Sequence, residues 1–117
     1  IVFNNALAVA GAVVLAGDFN CDEDSAPYGQ LTQPKKAASL SLIDGYRVKH
    51  AKRVESEATF HGFRGEDRGS RIDWILHDGG LEAIEADIVR TQKRGKFPSD
   101  HYPVTMVLEW QQAEEPR

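Results

Sequence analysis

Residues 12–20 have the sequence AVVLAGDFN, a continuous apolar run followed by a glycine, an acid, an aromatic and an amide. The β-branched content of residues 12–16 predicts a strand buried on both faces, because an uninterrupted apolar run leaves no face for water. Asp18 and Asn20 follow two positions apart, so in an extended chain both side chains would point to the same side. We therefore predict a buried strand that ends in a carboxylate and a carboxamide, although the same pair also suits a simple turn cap.

Two further polar clusters lie in the C-terminal half. Residues 70–74, SRIDW, place Asp73 in a predicted strand, where an acid among large apolar side chains needs a partner because an unpaired buried charge is costly. Residues 98–103, PSDHYP, place His101 in a loop before a second predicted strand, and His101 is the natural partner for Asp73. The alternative is a structural ion pair between Asp73 and Arg71.

Other local signals complete the pattern of predicted elements. Ser25 is expected to cap a short helix that Pro34 ends. The last element predicted is a half-exposed strand, because four apolar residues alternate with a mixed set: Val104, Met106, Leu108 and Trp110 against Thr105, Val107 and Glu109. Residues 81–90 are ambiguous, but the spacing of their leucine and isoleucines slightly favours a helix.

Composition bounds the class of protein. The 117 residues are 41% hydrophobic and carry 14 Lys and Arg against 18 Asp and Glu, a net charge of −4. This apolar fraction excludes a disordered chain, and a single cysteine excludes a disulfide scaffold. The mildly acidic net charge argues against a protein that binds nucleic acid through overall positive charge. It does not exclude an enzyme that acts on phosphate through a metal. The longest apolar stretch, residues 6–16, is too short for a membrane span, so we expect a soluble protein, cytoplasmic or secreted.

Taken together, the three clusters resemble the C-terminal half of the endonuclease/exonuclease/phosphatase superfamily, the deoxyribonuclease I-like metal-dependent phosphohydrolases. The resemblance extends from about Val13 to about Glu109, with the clusters in the family's order. It implies an α/β fold, α+β in some schemes: a four-layer α-β-β-α sandwich with mainly antiparallel sheets. Residues 1–117 would then form a single partial domain, the C-terminal half, with the N-terminal half absent.

The resemblance also implies roles for particular residues. Asp18 would orient or deprotonate the attacking water, and Asn20 would donate a hydrogen bond to a phosphate oxygen. His101 would contact the scissile phosphate, preferably as the cation, and Asp73 would orient that imidazole and raise its pKa. Asp100 resembles a carboxylate ligand of Mg²⁺ or Mn²⁺, ions that prefer oxygen ligands.

Two further residues are candidate substrate contacts besides Asn20. His61 lies in residues 59–63, TFHGF, which resemble a segment that shapes the substrate pocket in some family members. The alternative there is a strand packing on Phe60 and Phe63 with an exposed histidine. Arg71, next to the Asp73 cluster, is the other candidate.

The function implied by the resemblance is metal-dependent hydrolysis of a phosphoester by attack of water on phosphorus, as in nucleases and other phosphodiesterases. Its substrate would be nucleic acid, a lipid head group or a small phosphoester. We expect the fragment alone to be inactive and to bind the missing N-terminal half or to self-associate through an exposed sheet face. The alternative is a non-catalytic half-domain that binds phosphate or a partner chain.

Overall fold

The computed structural model describes residues 12–33 and 41–111. This part of the chain is α+β, with antiparallel sheets and two short helices. In chain order its elements are β1 (Val14–Asp18), α1 (Ala26–Thr32), β2 (Ile43–Asp44), α2 (Gly45–Lys49), β3 (Asp73–His77), β4 (Leu81–Ile88) and β5 (Val104–Trp110).

One sheet has the strand order β1-β3-β2, so β3 is central and pairs antiparallel with both neighbours. The prediction of a strand buried on both faces near residues 12–16 is wrong for the described structure. Among the described residues β1 pairs only with β3, and most of its residues are exposed, including Val14 at 50%. The register that pairs β1 with β3 places Asp18 opposite Asp73, which matters for the site.

The core of this sheet is built around Trp74, which is fully buried between Leu42 and Leu76. The ring of Phe19 stacks on the indole of Trp74 with a centroid distance of 4.4 Å, and Tyr28 packs edge-on at 5.1 Å. Offset and edge-on aromatic pairs of this kind stabilise beyond their buried area. The residue directly after β1 is thereby held against the core.

The helix expected after Ser25 is confirmed as α1. The Ser25 hydroxyl accepts a hydrogen bond from the backbone N–H of Tyr28 at 3.4 Å, which caps the helix, and Gln33 follows its last turn. Pro34, expected to end this helix, lies outside the described residues. Neither α1 nor α2 has the length and apolar character that crossing a membrane demands.

The first residue of α2 is a glycine, Gly45, because the adjoining strands leave no room for a side chain there. A Cβ at this position would lie 2.6 Å from Sδ of Met106 on β5 and 2.9 Å from Cβ of Ala83 on β4. Asp44 precedes it as the N-cap, and its carboxylate accepts from the N–H of Arg47. The second sheet therefore packs directly against the start of α2.

The second sheet is the antiparallel pair β4–β5, and it corrects the helix favoured for residues 81–90. The pairing shifts between Ala83 and Glu85, which is a β-bulge. Leu81, Ala83 and Ala86 are buried, so the bulge breaks the alternation of two. The residues that favoured a helix, Leu81, Ile84 and Ile88, lie at and on either side of this bulge, so their spacing of three and four includes its extra residue. The half-exposed strand expected over 104–110 is confirmed as β5.

Candidate active site

The ends of β1 and β3 meet the loop that leads into β5, and three polar side chains come together there. Nδ1 of His101 lies 2.8 Å from Oδ2 of Asp73, and Nε2 of the same ring lies 3.7 Å from Oδ2 of Asp18. The three ligand-type atoms all lie within 4.8 Å of one another. This Asp18–His101–Asp73 cluster confirms the pairing of Asp73 with His101, and the alternative ion pair between Asp73 and Arg71 does not form.

Asp73 is positioned by a buried threonine. Oγ1 of Thr59 accepts hydrogen bonds from the backbone N–H groups of Ile72 at 3.0 Å and Asp73 at 3.2 Å. Thr59 is fully buried, and its hydroxyl is the acceptor within the protein for these two partly buried donors. The start of β3, and with it the Asp73 carboxylate, is therefore fixed from a segment distant in sequence.

The same segment positions His101. Phe60 forms an antiparallel bridge with His101, the N–H of Tyr102 donates to the carbonyl of Thr59 at 2.7 Å, and the Phe60 ring packs edge-on against the imidazole at 5.2 Å. The N–H of His101 also donates to Oγ of Ser99 at 3.1 Å. Residues 59 and 60 thus hold both partners of the Asp73–His101 hydrogen bond.

The electrostatic setting favours a cationic His101. The hydrogen bond to Asp73 raises the pKa of His101, partial burial opposes this, and the negative charges of Asp73, Asp18 and Asp100 raise it further. The ring nevertheless stays accessible, with 26% of its side chain exposed against 13% for Asp73. An imidazolium in this position can donate from Nε2 to an anion.

A cavity of about 290 Å³ opens over the cluster. The 3.7 Å between Nε2 of His101 and Oδ2 of Asp18 is too long for a direct hydrogen bond, so both atoms can serve a water or a phosphate oxygen between them. Asp18 is the more accessible acid, with 40% of its side chain exposed. The lining residues are Gly17, Asp18, Asp73, Ser99, His101, Tyr102, Pro103 and Val104.

Asn20 lies on the loop beside this cavity but not among its lining residues. The strand ends at Asp18, and Asn20 takes a left-handed conformation with φ 53°, its N–H donating to Oδ1 of Asp18 at 2.9 Å. The expectation that both side chains share one strand face is wrong, because the alternation of an extended strand does not continue through this turn. The Asn20 side chain is exposed at the turn.

Asp100 does not join the cluster of three, although its charge contributes to the raised pKa of His101. Its carbonyl accepts from the N–H groups of His61 and Gly62, and its carboxylate is partly exposed. Carboxylate oxygens suit a hard divalent cation, but one oxygen of Asp73 is already bonded to His101. The described residues therefore fit such a cation only as part of a larger set of ligands.

The structure does not bring His61 to the cavity. Its side chain is 1% exposed and stacks on Tyr102 at 4.2 Å and against Phe97 at 4.5 Å, and its ring nitrogens have no hydrogen-bond partner within the described part of the chain. The alternative of an exposed histidine beside packed phenylalanines is also wrong. Phe60 and Phe63 are 44% and 62% exposed. The chain turns at residues 62 and 63, both of which have positive φ.

Arg71 likewise lies away from the cavity lining, with 2% of its side chain exposed, in an ion-pair network that sequence reasoning missed. Its guanidinium pairs with Asp44 and with Glu23, and Arg47 pairs with Glu23 and with Glu57. The acids come from three separate parts of the chain. The sequence indicated this network only through the charge of Arg71 next to a predicted strand, and that charge does not predict which acids pair with it.

Residues 2–101 match the model of the Endonuclease/Exonuclease/phosphatase family. The chain therefore belongs to the endonuclease/exonuclease/phosphatase family, as the sequence clusters indicated. The matched range includes every residue of the Asp18–His101–Asp73 cluster as well as Asn20 and Asp100. No curated protein and no solved structure matches the chain.

Proposed function

We propose that the chain carries half of the active site of a metal-dependent phosphoester hydrolase, in which water attacks phosphorus. The observation that supports this most directly is one imidazole placed between two carboxylates at the mouth of a cavity. Membership of the family supports the same chemistry. The finer points, a phosphodiesterase or nuclease activity and dependence on Mg²⁺, are parts of the proposal.

Each member of the cluster has a distinct task in this reaction. Asp18 accepts a proton from the attacking water, which requires an exposed carboxylate within hydrogen-bond reach of it. His101, kept cationic by Asp73, donates from Nε2 to a phosphoryl oxygen, where negative charge grows in the transition state. Asn20, at the turn next to Asp18, donates its amide to another phosphate oxygen.

A divalent cation, when bound, supplies positive charge that stabilises the phosphoryl oxygens. Of the residues described, Asp100 would be its ligand, since that carboxylate is partly exposed and lies close enough to His101 to affect its pKa. One carboxylate with waters is a weak Mg²⁺ site, so we propose that further ligands come from a preceding half of the domain. Mg²⁺ and Mn²⁺ are both compatible with oxygen ligands.

We further propose that the sheet β1-β3-β2 packs against a second sheet in a four-layer sandwich. Val14 and Ile43, 50% and 37% exposed, are the apolar side chains available on this sheet for such packing. In the absence of the other half we expect the purified chain to self-associate. Size-exclusion chromatography would test this, and a monomer at all concentrations would count against it.

Hydrolysis of bis(p-nitrophenyl) phosphate tests the proposed reaction. We expect turnover with Mg²⁺ or Mn²⁺ from a longer parent protein, little from the 117-residue chain, and loss of turnover in the parent with His101→Ala. A parent whose turnover is unchanged by His101→Ala contradicts the mechanism. The substrate classes to compare next are nucleic acid, lipid head groups and small phosphoesters.

The second candidate is a half-domain that binds phosphate or a partner without turnover. The partial ligand set for a cation, with Asp100 outside the cluster of three, favours it. A parent that binds phosphate but hydrolyses nothing, with all its metal ligands present, would select this function.

A further inference from the structure

The loop that leaves β1 carries two proposed site residues, Asp18 and Asn20, and is anchored at both ends. Near β1, the N–H of Phe19 donates to the carbonyl of Ile72 at 2.9 Å. Farther along, the Glu23 side chain points into the interior of the protein and is only 8% exposed. The exposed turn at Asn20 lies between these two anchors.

Glu23 is held by two guanidinium groups. Its Oε2 accepts from Nε of Arg47 at 3.0 Å, and its Oε1 accepts from Nε of Arg71 at 3.1 Å. Arg47 belongs to α2, and Arg71 lies two residues before Asp73 on the approach to β3. One carboxylate therefore ties the Asn20 loop both to a helix and to the strand that carries the other acid of the site.

The charges of the network show that Glu23 is not needed for pairing. Three carboxylates, Glu23, Asp44 and Glu57, face two guanidinium groups. Without Glu23, Arg71 keeps Asp44, and Arg47 keeps both oxygens of Glu57 at 3.0 and 2.8 Å. Loss of the Glu23 charge thus leaves each arginine paired with an acid, and what disappears is the anchor of the loop.

We infer that Glu23 is a positioning residue that holds the loop so that Asn20 keeps its place next to Asp18, to which its N–H is hydrogen-bonded. This inference rests on the proposed function, because it assigns Glu23 a task in the same reaction. The charge persists under ordinary assay conditions. Burial alone raises the pKa of Glu23, but the hydrogen bonds and charges of Arg47 and Arg71 outweigh burial and lower it.

The matched pair Glu23→Gln and Glu57→Gln tests the inference in the active parent. Both substitutions remove one carboxylate from Arg47, but only the first lies on the Asn20 loop. We expect Glu23→Gln to lower kcat by about tenfold or more, since a small misplacement of reacting groups is costly. Glu57→Gln should change kcat by less than about threefold. Equal losses in the two variants would overturn the inference.

A double-mutant cycle shows whether Glu23 acts through Asn20. In the Asn20→Ala background, Glu23→Gln should cost little more, because residues that act through each other are not additive. A merely structural role predicts the same fold-loss in both backgrounds. Full additivity therefore contradicts the positioning role.

Amide hydrogen exchange of the 117-residue chain provides a readout that does not need turnover. Glu23→Gln should speed exchange in residues 19–25 about tenfold, with the amides of β3 unchanged, because local opening of a loop leaves the core intact. Glu57→Gln should leave residues 19–25 unchanged. Faster loop exchange in the chain, together with a parent protein that shows no turnover, contradicts the proposed function but supports the Glu23 anchor. Unchanged loop exchange, together with a parent that is active, contradicts the Glu23 anchor alone.

Discussion

Asp18 and Asp73 are register partners at the ends of β1 and β3, and the single imidazole of His101 lies between their carboxylates. Two acids so close would repel each other in water, but a cationic ring between them offsets that repulsion. The relationship makes the charge of His101 depend chiefly on Asp73, to which it is hydrogen-bonded. It leaves Asp18 free of a direct hydrogen bond to the ring.

Asp73→Asn should lower the pKa of His101, because the hydrogen bond to Asp73 is the largest cause of its upward shift. Titration of the His101 ring protons by NMR measures this directly. Asp87→Asn, an exposed acid on β4, is the control and should leave the pKa of His101 unchanged. An unchanged pKa in Asp73→Asn would contradict the electrostatic account of the site.

The stability of the fold should depend on pH through the same pair. The pKa of His101 is raised in the folded protein above its ordinary value of 6.5, so its contribution is fully present below 6.5 and is lost as pH rises through the folded pKa. Asp73→Asn should therefore destabilise the chain more at about pH 5.5 than at about pH 9. Thermal unfolding at the two pH values measures the difference, and a larger loss at the higher pH would show the sign to be wrong.

Arg71→Met should destabilise the chain strongly, by roughly 3–5 kcal/mol, because it leaves the buried Asp44 without its cation. Arg53→Met is the matched control, since Arg53 pairs with Asp24 at the surface, where half or more of each side chain is exposed. Surface pairs of this kind contribute little, so the control should unfold at nearly the wild-type denaturant concentration. Similar midpoints for the two variants would refute the buried network.

Thr59→Val should cost roughly 1–3 kcal/mol, because the isosteric side chain leaves the partly buried N–H groups of Ile72 and Asp73 without their acceptor. Thr59→Ser keeps the hydroxyl and isolates the loss of a methyl group. Urea unfolding separates the two, and NMR chemical shifts of Asp73 and His101 report whether the site moves. A serine variant less stable than the valine variant would mean that packing matters more than the acceptor.

Local chemistry made several features predictable from the sequence. Ser25 caps its helix, and residues 104–110 form a half-exposed strand, as the sequence predicted. Asp73 is hydrogen-bonded to His101, because a partly buried acid needs a cation or a donor. The helix favoured for residues 81–90 failed because a bulge depends on how β4 pairs with β5. No pattern within one segment contains that information.

The residues proposed for the candidate site also divide into those whose positions the sequence predicted and those whose positions it did not. Asp18, Asp73 and His101 were identifiable from residue types near predicted strand ends, whereas the positions of His61 and Arg71 were not. A histidine or arginine has the same sequence signature whether it faces a ligand or the interior. Burial of His61 against Tyr102 and of Arg71 between acids comes from residues far away in the chain.

The sequence by itself determined the family and the chemical groups of the candidate site, because these depend on which residues follow which strands. Only the tertiary structure decided that one histidine stands between Asp18 and Asp73, that Thr59 holds the start of β3, and that Glu23 reaches two arginines. Those relationships arise from the register of β1 on β3 and from long-range packing. Non-local pairing of this kind costs chain entropy and is stabilised only by the assembled core.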